Sequence, residues 1–349
     1  MFIEPKASVS PGRLRWGNPW FVGCVGSRTV VSLSQYRSSY STHRFAKSVI
    51  PESYGHLDFD ASDLARAIFT TGRAPADWFG HGEASFFEFV HRVSLIPAYL
   101  RNRGFRIVRS LLLESLDRSE KVAISYALGA AMSSLFTEKC LGVWGLLHID
   151  RYGRDANLAF TSPQRPDYFG IGTGGWVVVE SKGRSRGVPA VLLRHLASQK
   201  NAVGTINGTD PWVRAGVVAN FATGRLSVEA IDPPPRQRDS PEPVPVQIHI
   251  DRFVFQYYRP FVRVLERGEP FEPQEGVLAV SFPAIGVDVG LHREILGLIP
   301  TSLGEGERGW AQRLIERIGS GFGQEVGLKI DGSYFATEWS EALAARDLY

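Results

Sequence analysis

The stretch Arg165-Pro-Asp-Tyr-Phe-Gly-Ile-Gly-Thr-Gly-Gly-Trp-Val-Val-Val-Glu-Ser-Lys-Gly-Arg-Ser-Arg-Gly187 decides the predicted fold. Pro166 to Phe169 begins a strand, and Trp176 to Val179 are strong β-formers that begin the next one. The glycines between the two segments favour a turn; they stand at positions 170, 172, 174 and 175. The sequence therefore predicts a glycine-rich hairpin of two antiparallel strands.

Two acids and one lysine occupy matching places on this hairpin. Asp167 begins the first strand and Glu180 ends the second, so the turn lets the two carboxylates meet. Lys182 shares a face with Glu180 because side chains alternate along a strand. Paired carboxylates hold a hard cation such as Mg²⁺, and an ammonium group can orient water or offset phosphate charge. The three residues therefore predict metal-dependent hydrolysis of a phosphodiester bond.

The elements around the hairpin predict an α/β fold. Asp117 and Glu120 have the spacing of a capping box that begins a helix, and Gly142 can end that helix. The predicted order is helix, three strands, helix and a pair of strands, at 118–139, 143–149, 166–169, 176–180, 189–203, 213–221 and 225–231. A crossover helix between strands favours a central mixed sheet flanked by helices on both faces.

Pro166-Asp167 followed by Glu180-Ser181-Lys182 resembles the PD-(D/E)xK nuclease superfamily, whose restriction-endonuclease-like fold has an αβββαβ core. The resemblance covers residues 118–231, roughly a third of the chain. It implies that Asp167 and Glu180 bind Mg²⁺, with Mn²⁺ as a substitute. It also implies that the carbonyl group of Ser181 adds a ligand, that Lys182 is catalytic and that the substrate is DNA.

The resemblance extends to further residues. Some members carry a glutamate on the first helix, and Glu138 at the end of that helix is the candidate here. Asp150 is either an additional metal-binding acid or a turn residue. Some members have glutamine and tyrosine four positions apart on the second helix, whereas this chain has glutamine and valine. The residues expected to contact nucleic acid are Arg184, Arg186, Arg194, Gln199 and Lys200.

Local charge supports a polyanionic partner. Residues 151–200 contain eight basic and three acidic residues, an excess larger than the net charge of +3 for the whole chain. Such a window attracts nucleic acid electrostatically. A solvated basic surface is the alternative interpretation.

The chain divides into four regions by composition. An N-terminal accessory region, 1–117, begins with short strands and continues as helix from 60 to 116, including an apolar run at 105–116. The nuclease-like core follows at 118–231, and a proline-rich linker at 232–246. An α+β accessory region, 247–349, closes the chain, with helices predicted near 254–266 and 309–318.

Composition favours a cytoplasmic protein that does not enter a membrane. Two cysteines are too few for a disulfide framework or for a cysteine-ligated metal site. Glu4 stands where a signal peptide needs apolar residues. The longest apolar run, Val122 to Phe136, is 15 residues long and too short to cross a bilayer.

These observations lead to one principal function and two alternatives. We expect a Mg²⁺-dependent DNA endonuclease, a hydrolase of restriction or phage defence, acting as a homodimer or with a partner protein of a defence system. The alternatives are a catalytically inactive nuclease-like module that binds nucleic acid or protein, and a scaffold protein that binds no Mg²⁺. A kinase is disfavoured: residues 170–177 match its glycine-rich loop only weakly, and no His-Arg-Asp or Asp-Phe-Gly triplet follows.

Overall fold

The computed structural model describes residues 35–71, 83–152, 165–192, 196, 202–232, 243–303, 309–322 and 326–345. Its strands are β1 Tyr36–His43, β2 Tyr54–Phe59, β3 Leu100–Arg103, β4 Arg106–Arg109, β5 Gly145–His148, β6 Tyr168–Gly172, β7 Gly175–Arg184, β8 Val203–Ile206, β9 Val213–Asn220, β10 Ser227–Ile231, β11 Val244–Val246, β12 Val277–Phe282, β13 Val287–His292 and β14 Ser333–Thr337.

The helices are α1 Ala61–Thr70, α2 Glu83–Tyr99, α3 Leu111–Ser115, α4 Arg118–Leu141, α5 Ile149–Tyr152, α6 Ile250–Arg267, α7 Arg293–Leu298, α8 Trp310–Gly319 and α9 Ser340–Ala344. Residues 190–192 and 196 are also helical and lie within the predicted crossover helix at 189–203; residues 193–195 and 197–201 of that span lie outside the described residues, and β8 begins at Val203. None of the helices in these ranges is long and apolar enough to cross a membrane.

A seven-stranded mixed sheet forms the centre, in the order β2-β1-β10-β9-β7-β6-β5. Strand β7 runs parallel to β9 and antiparallel to β6, and β1 runs parallel to β10. The predicted mixed sheet is therefore confirmed. Strands β1 and β2 belong to the predicted N-terminal accessory region, so the sheet continues beyond residues 118–231.

Helices cover both faces of the sheet at β7. Gly129 of α4 lies against the backbone of Lys182 and Gly183, on one face. On the other face, the ring of Trp176 lies 5.3 Å from that of Phe253 in α6. The Val177–Val179 run is buried because both faces are covered, which explains why the sequence of this strand does not alternate.

The capping signals of α4 operate as predicted. The side chain of Asp117 accepts from the backbone N–H of Glu120, and the side chain of Glu120 accepts from the backbone N–H of Asp117. Gly142 ends the helix in the left-handed conformation, at φ +61°. The predicted helix at 118–139 is therefore confirmed, with two more residues at its end.

The prediction of helix at 105–116 is wrong for its first half. Residues 100–109 form the antiparallel hairpin β3–β4, and only Leu111–Ser115 is helical. Gly104 and Phe105 turn the chain with positive φ angles. The backbone of β4 is then held by distant partners: the N–H of Leu226 donates to the carbonyl of Ile107. These long-range bonds outweigh the local helical periodicity.

The C-terminal region packs onto the same core. Its helices at 250–267 and 310–319 agree with the predicted helices. A three-stranded sheet, β12-β13-β14, accompanies them. The ring of Phe69 in α1 lies 5.1 Å from Phe261 and 5.5 Å from Phe335, so the predicted accessory regions share a hydrophobic core.

The predicted linker at 232–246 lies partly outside the described residues, which omit 233–242. Its last residues form β11, which pairs in parallel with β8. This segment therefore ends in a strand attached to the crossover region.

A network of buried charges joins α1 and α4 to the C-terminal region. Arg66 is only 1% exposed and pairs with Glu138 of α4 and, at 3.1 Å, with Asp331. The Lys329 ammonium lies 2.7 Å from Asp63. Buried charges are tolerated only when they are paired, so each of these elements depends on the others.

Candidate functional site

The structure brings Asp167, Glu180 and Lys182 together at one end of β6 and β7. Tyr168 pairs with Val179, so the residues that follow in each direction are Asp167 and Glu180. The Nζ atom of Lys182 contacts Oε1 of Glu180 and lies 3.6 Å from Oδ2 of Asp167. Both carboxylates therefore meet at one ammonium group, as the hairpin spacing predicts.

Asp167 is held in place by backbone hydrogen bonds. The N–H of Ser181 donates to Oδ2 of Asp167 at 2.9 Å, and the N–H of Ile149 donates to its carbonyl at 2.8 Å. The first bond ties the Asp167 side chain to β7, and the second ties its backbone to the end of β5. The carboxylate is therefore fixed on rigid strands, as a preorganised site requires.

Glu180 has the most perturbed environment of the three residues. It is fully buried, and burial, together with the charge of Asp167, raises its pKa to about 7 despite the nearby Lys182. Its Oε2 atom is buried without a hydrogen-bond partner among the described residues. Groups with such a shifted pKa are typical of functional sites, and a carboxylate oxygen that accepts no hydrogen bond is suited to bind a cation.

Lys182 stays protonated at neutral pH. Burial by itself disfavours the charged ammonium, but the charges of Asp167 and Glu180 outweigh that effect and raise the pKa of Lys182. About a third of its side chain is exposed. A cation thus faces solvent beside two carboxylates.

Glycine residues allow α4 to approach the site closely. A Cβ atom on Gly183 would overlap the carbonyl oxygen of Ser125, and one on Gly129 would lie 2.6 Å from the backbone nitrogen of Gly183. The hydroxyl of Ser133 donates to that of Ser181 at 2.9 Å. Helix α4 thus packs directly against the strand segment that carries the two site residues.

We expect Gly183→Ala to destabilise the fold by about 1–3 kcal/mol, because the new methyl group must push α4 away from β7. Urea unfolding measures the loss. Gly297→Ala is the matched control: Gly297 lies in α7 with open space around its Cβ position, so alanine there should be neutral or slightly stabilising. An equal effect of the two substitutions would contradict this packing.

Two aromatic side chains and a histidine lie beside Asp167, and sequence reasoning assigned them no role. Tyr126 of α4 is 49% exposed, and burial together with the charge of Asp167 raises its pKa. The His148 ring lies 5.3 Å from that of Tyr168, and burial lowers the pKa of His148 against the opposing charge of Asp167. The register of β5 on β6 places His148 beside Tyr168, and the packing of α4 on the sheet brings Tyr126 to them; the local sequence shows neither contact.

The other predicted site residues differ in where they lie. Glu138 pairs with Arg66 in the buried network, and Asp150 is half-exposed and pairs with Arg165. Arg184 and Arg186 are exposed at the end of β7, near the site. The remaining three predicted nucleic-acid contacts fall outside the described residues; they are Arg194, Gln199 and Lys200.

The donor set at the site is small. Within the described ranges, no group of three or more His, Cys, Asp or Glu side chains is placed to hold a metal ion. Mg²⁺ needs only one or two protein carboxylates, because it keeps several waters and binds substrate phosphate. Asp167, Glu180 and the carbonyl of Ser181 therefore fit Mg²⁺ better than a metal that needs a full protein cage.

No family model matches this chain, and neither a curated protein nor a solved structure matches it. The functional assignment therefore depends on the site and its surroundings.

Proposed function

We propose that this chain is a Mg²⁺-dependent nuclease of the PD-(D/E)xK type that hydrolyses phosphodiester bonds in DNA. The observation that carries the proposal is the meeting of two carboxylates at the Lys182 ammonium, with a buried oxygen of Glu180 left without a hydrogen bond. The order α4, β5, β6, β7, crossover helix and β9 supports the restriction-endonuclease-like αβββαβ core.

Asp167, Glu180 and the carbonyl of Ser181 would hold Mg²⁺, or Mn²⁺ in its place. The bound ion would acidify water and stabilise the negative charge that develops on the phosphate. Glu180 contributes as a carboxylate only when it is ionised, and its pKa of about 7 therefore favours activity above neutral pH. The charge of the ion would itself favour this ionised form.

Lys182 acts on the substrate side of the site. Its ammonium is partly exposed and can donate to a nonbridging phosphate oxygen or orient the attacking water. Arg184 and Arg186 continue the positive charge beyond the end of β7, where they can contact neighbouring phosphates. We infer a role in restriction or phage defence, with dimerisation or a partner protein positioning the second cut.

We expect Lys182→Ala to lower plasmid cleavage with Mg²⁺ by about 100-fold, because the ammonium that donates to the phosphate or orients the attacking water is lost. Gel analysis of supercoiled plasmid measures the rate. Lys121→Ala is the matched control, since Lys121 lies on the exposed beginning of α4 and binds the carbonyl of Glu114. Cleavage by the Lys182 variant at the parental rate would exclude this mechanism.

One observation favours an inactive binding module as a second candidate. The Lys182 ammonium already offsets the two carboxylates without a metal. Titration calorimetry with Mg²⁺ and a DNA-binding assay in EDTA separate the candidates. DNA binding without Mg²⁺ binding or cleavage would favour the module, whereas heat of Mg²⁺ binding that Asp167→Asn removes would favour the nuclease.

A further inference from the structure

The tip of the β3–β4 hairpin, Arg103-Gly104-Phe105-Arg106, breaks a backbone preference. Gly104 and Phe105 both have positive φ angles, +58° and +66°, as in the two-residue turn that asparagine and glycine favour. A bulky residue such as phenylalanine is an outlier in this conformation. Phe105 is also 68% exposed, so packing against the core does not compensate for the strain. Such strain tends to be kept where it serves a function.

The same tip also breaks a charge preference. Arg103 and Arg106 are directly opposite each other across the turn, and like charges in that position destabilise a hairpin. Among the described residues, no carboxylate lies within ion-pair distance of either arginine; Arg103 donates to backbone carbonyls instead. The segment 100–109 contains four arginines and no acid. The tip therefore keeps its two arginines and its phenylalanine although the backbone strain and the charge repulsion both destabilise the hairpin.

Hydrogen bonds to the central sheet fix this tip relative to the candidate site. Strand β4 crosses the ends of the sheet strands. The side chain of Arg109 donates to the carbonyl of Ser185, just after β7, and the carbonyl of Phe105 accepts from the N–H of Arg37 in β1. Between β7 and β1 lie three strand spacings, or about 15 Å. The hairpin thus spans the distance from β7, which carries the site, to β1, which holds the tip. A bound nucleic-acid strand would cover this distance with a few nucleotides.

The surface between these two points is also basic. Arg225 lies in the exposed turn between β9 and β10 and bridges to Val108 of β4. Arg184 and Arg186 are exposed at the end of β7. Within the described residues, these three arginines form no ion pair with a carboxylate. A strand of nucleic acid that follows this surface would meet these three arginines between the site and the tip, whereas the charge of Arg109 is offset by Glu114.

We propose that the β3–β4 tip is a second nucleic-acid contact, at which Phe105 stacks on an unpaired base and Arg103 and Arg106 bind the flanking phosphates. Its role in presenting substrate rests on the proposed nuclease function, but the binding itself needs no metal. Stacking on an exposed aromatic ring tolerates any base, and arginine supplies the phosphate contacts. The tip would therefore favour single-stranded or frayed DNA over an intact duplex.

Fluorescence anisotropy in EDTA tests the stacking, with a labelled single strand of about 20 nucleotides as the probe. We expect Phe105→Asn to bind about 10-fold more weakly. Asparagine suits the turn, so thermal unfolding should show equal or higher stability. Phe105→Trp should retain the affinity. Phe87→Ala is the control, since Phe87 is a similarly exposed phenylalanine on α2.

The salt dependence of the affinity tests the phosphate contacts of Arg103 and Arg106. The variant Arg103→Gln/Arg106→Gln should reduce the slope of log affinity against log salt by about 1.4, because two phosphate contacts disappear. The matched control is Arg263→Gln/Arg293→Gln, which removes two exposed arginines of the C-terminal region. Affinity and slope unchanged relative to these controls would overturn the proposal, as would a Phe105→Asn variant that binds like the parent.

The results separate this proposal from the nuclease function. If the parent fails to cleave with Mg²⁺ while Phe105→Asn loses single-strand binding, the nuclease function fails and the contact at the tip stands. If the parent cleaves and the tip variants bind single strands as the controls do, the nuclease stands and the tip proposal fails.

Discussion

Glu180→Gln is expected to abolish Mg²⁺-dependent cleavage while making the metal-free fold more stable at pH 8. The rate should fall on the order of 100-fold or more, because an amide cannot replace an anionic ligand of the metal. Loss of activity with a gain in stability would distinguish a functional carboxylate from a structural one, since removal of a structural group lowers stability.

The stability change follows from the pKa of Glu180. Burial, followed by the charge of Asp167, raises that pKa to about 7 in the folded chain, against about 4.3 when unfolded. Because the folded pKa is raised, the protonated group stabilises the fold fully below pH 4.3, and this contribution is lost as the pH rises through 7. Glutamine never ionises, so its advantage should grow by about 1–3 kcal/mol between pH 5 and pH 8.

Urea unfolding in EDTA at the two pH values measures this difference, and plasmid cleavage at pH 8 measures activity. Glu229→Gln is the matched control, because Glu229 is a half-buried glutamate on β10, two strands from Lys182 in the sheet, whose pKa is also raised by burial. The control should cleave as the parent does. A Glu180→Gln variant that cleaves normally, or that loses stability more at pH 8 than at pH 5, would contradict the assigned role.

Arg66→Met is expected to destabilise the fold by about 3–5 kcal/mol, a large fraction of the stability of a typical domain. The substitution removes the cation that the buried carboxylates of Glu138 and Asp331 share, and leaves the partly exposed Lys139, 3.6 Å from Glu138, as a weaker partner for Glu138. Tyr257 still donates to Asp331 at 2.6 Å, but a single hydroxyl cannot balance a full charge. The free energy of unfolding in urea reports the loss.

The triple variant Arg66→Met/Glu138→Gln/Asp331→Asn should recover much of that stability, because no unpaired charge remains in the interior. As a control, Arg92→Met removes an arginine that pairs with Glu88 on the partly exposed side of α2. It should change stability by about 0.5 kcal/mol or less. If the triple variant is no better than Arg66→Met, the loss comes from packing and the charge explanation is wrong.

Local signals of the sequence were sufficient to predict that Asp167, Glu180 and Lys182 come together. The spacing between Asp167 and Glu180 spans one hairpin, and the apolar run before Glu180 marks a strand buried on both faces. The ends of α4 were predictable for a similar reason, since Asp117 and Gly142 act within one turn of the helix. Each of these features depends on neighbours in the chain, so the residues alone carry the information.

Features that depend on distant segments could not be predicted. Strand β1 joins the sheet by pairing in parallel with β10, almost 200 positions later, and nothing in its own sequence specifies that partner. Apolar spacing favours helix at 105–109, but long-range backbone bonds hold these residues in a hairpin turn and strand. The partners of Arg66 were equally hidden, because a buried arginine and a surface one look alike in sequence. The sequence likewise gives no sign that Glu138 pairs with Arg66 and not with the candidate site.

The charge network around Arg66 has a consequence for synthesis. Arg66 and its partner Asp331 are separated by 265 positions. At ordinary translation rates, the arginine leaves the ribosome on the order of tens of seconds before Asp331, whereas its other buried partner, Glu138 of α4, is synthesised much sooner. During that interval α1 and α4 can pair through Arg66 and Glu138, while Asp331 and Lys329 are still missing from the network. Synthesis of the segment that carries Lys329 and Asp331 would then set the moment at which the buried charges are all balanced.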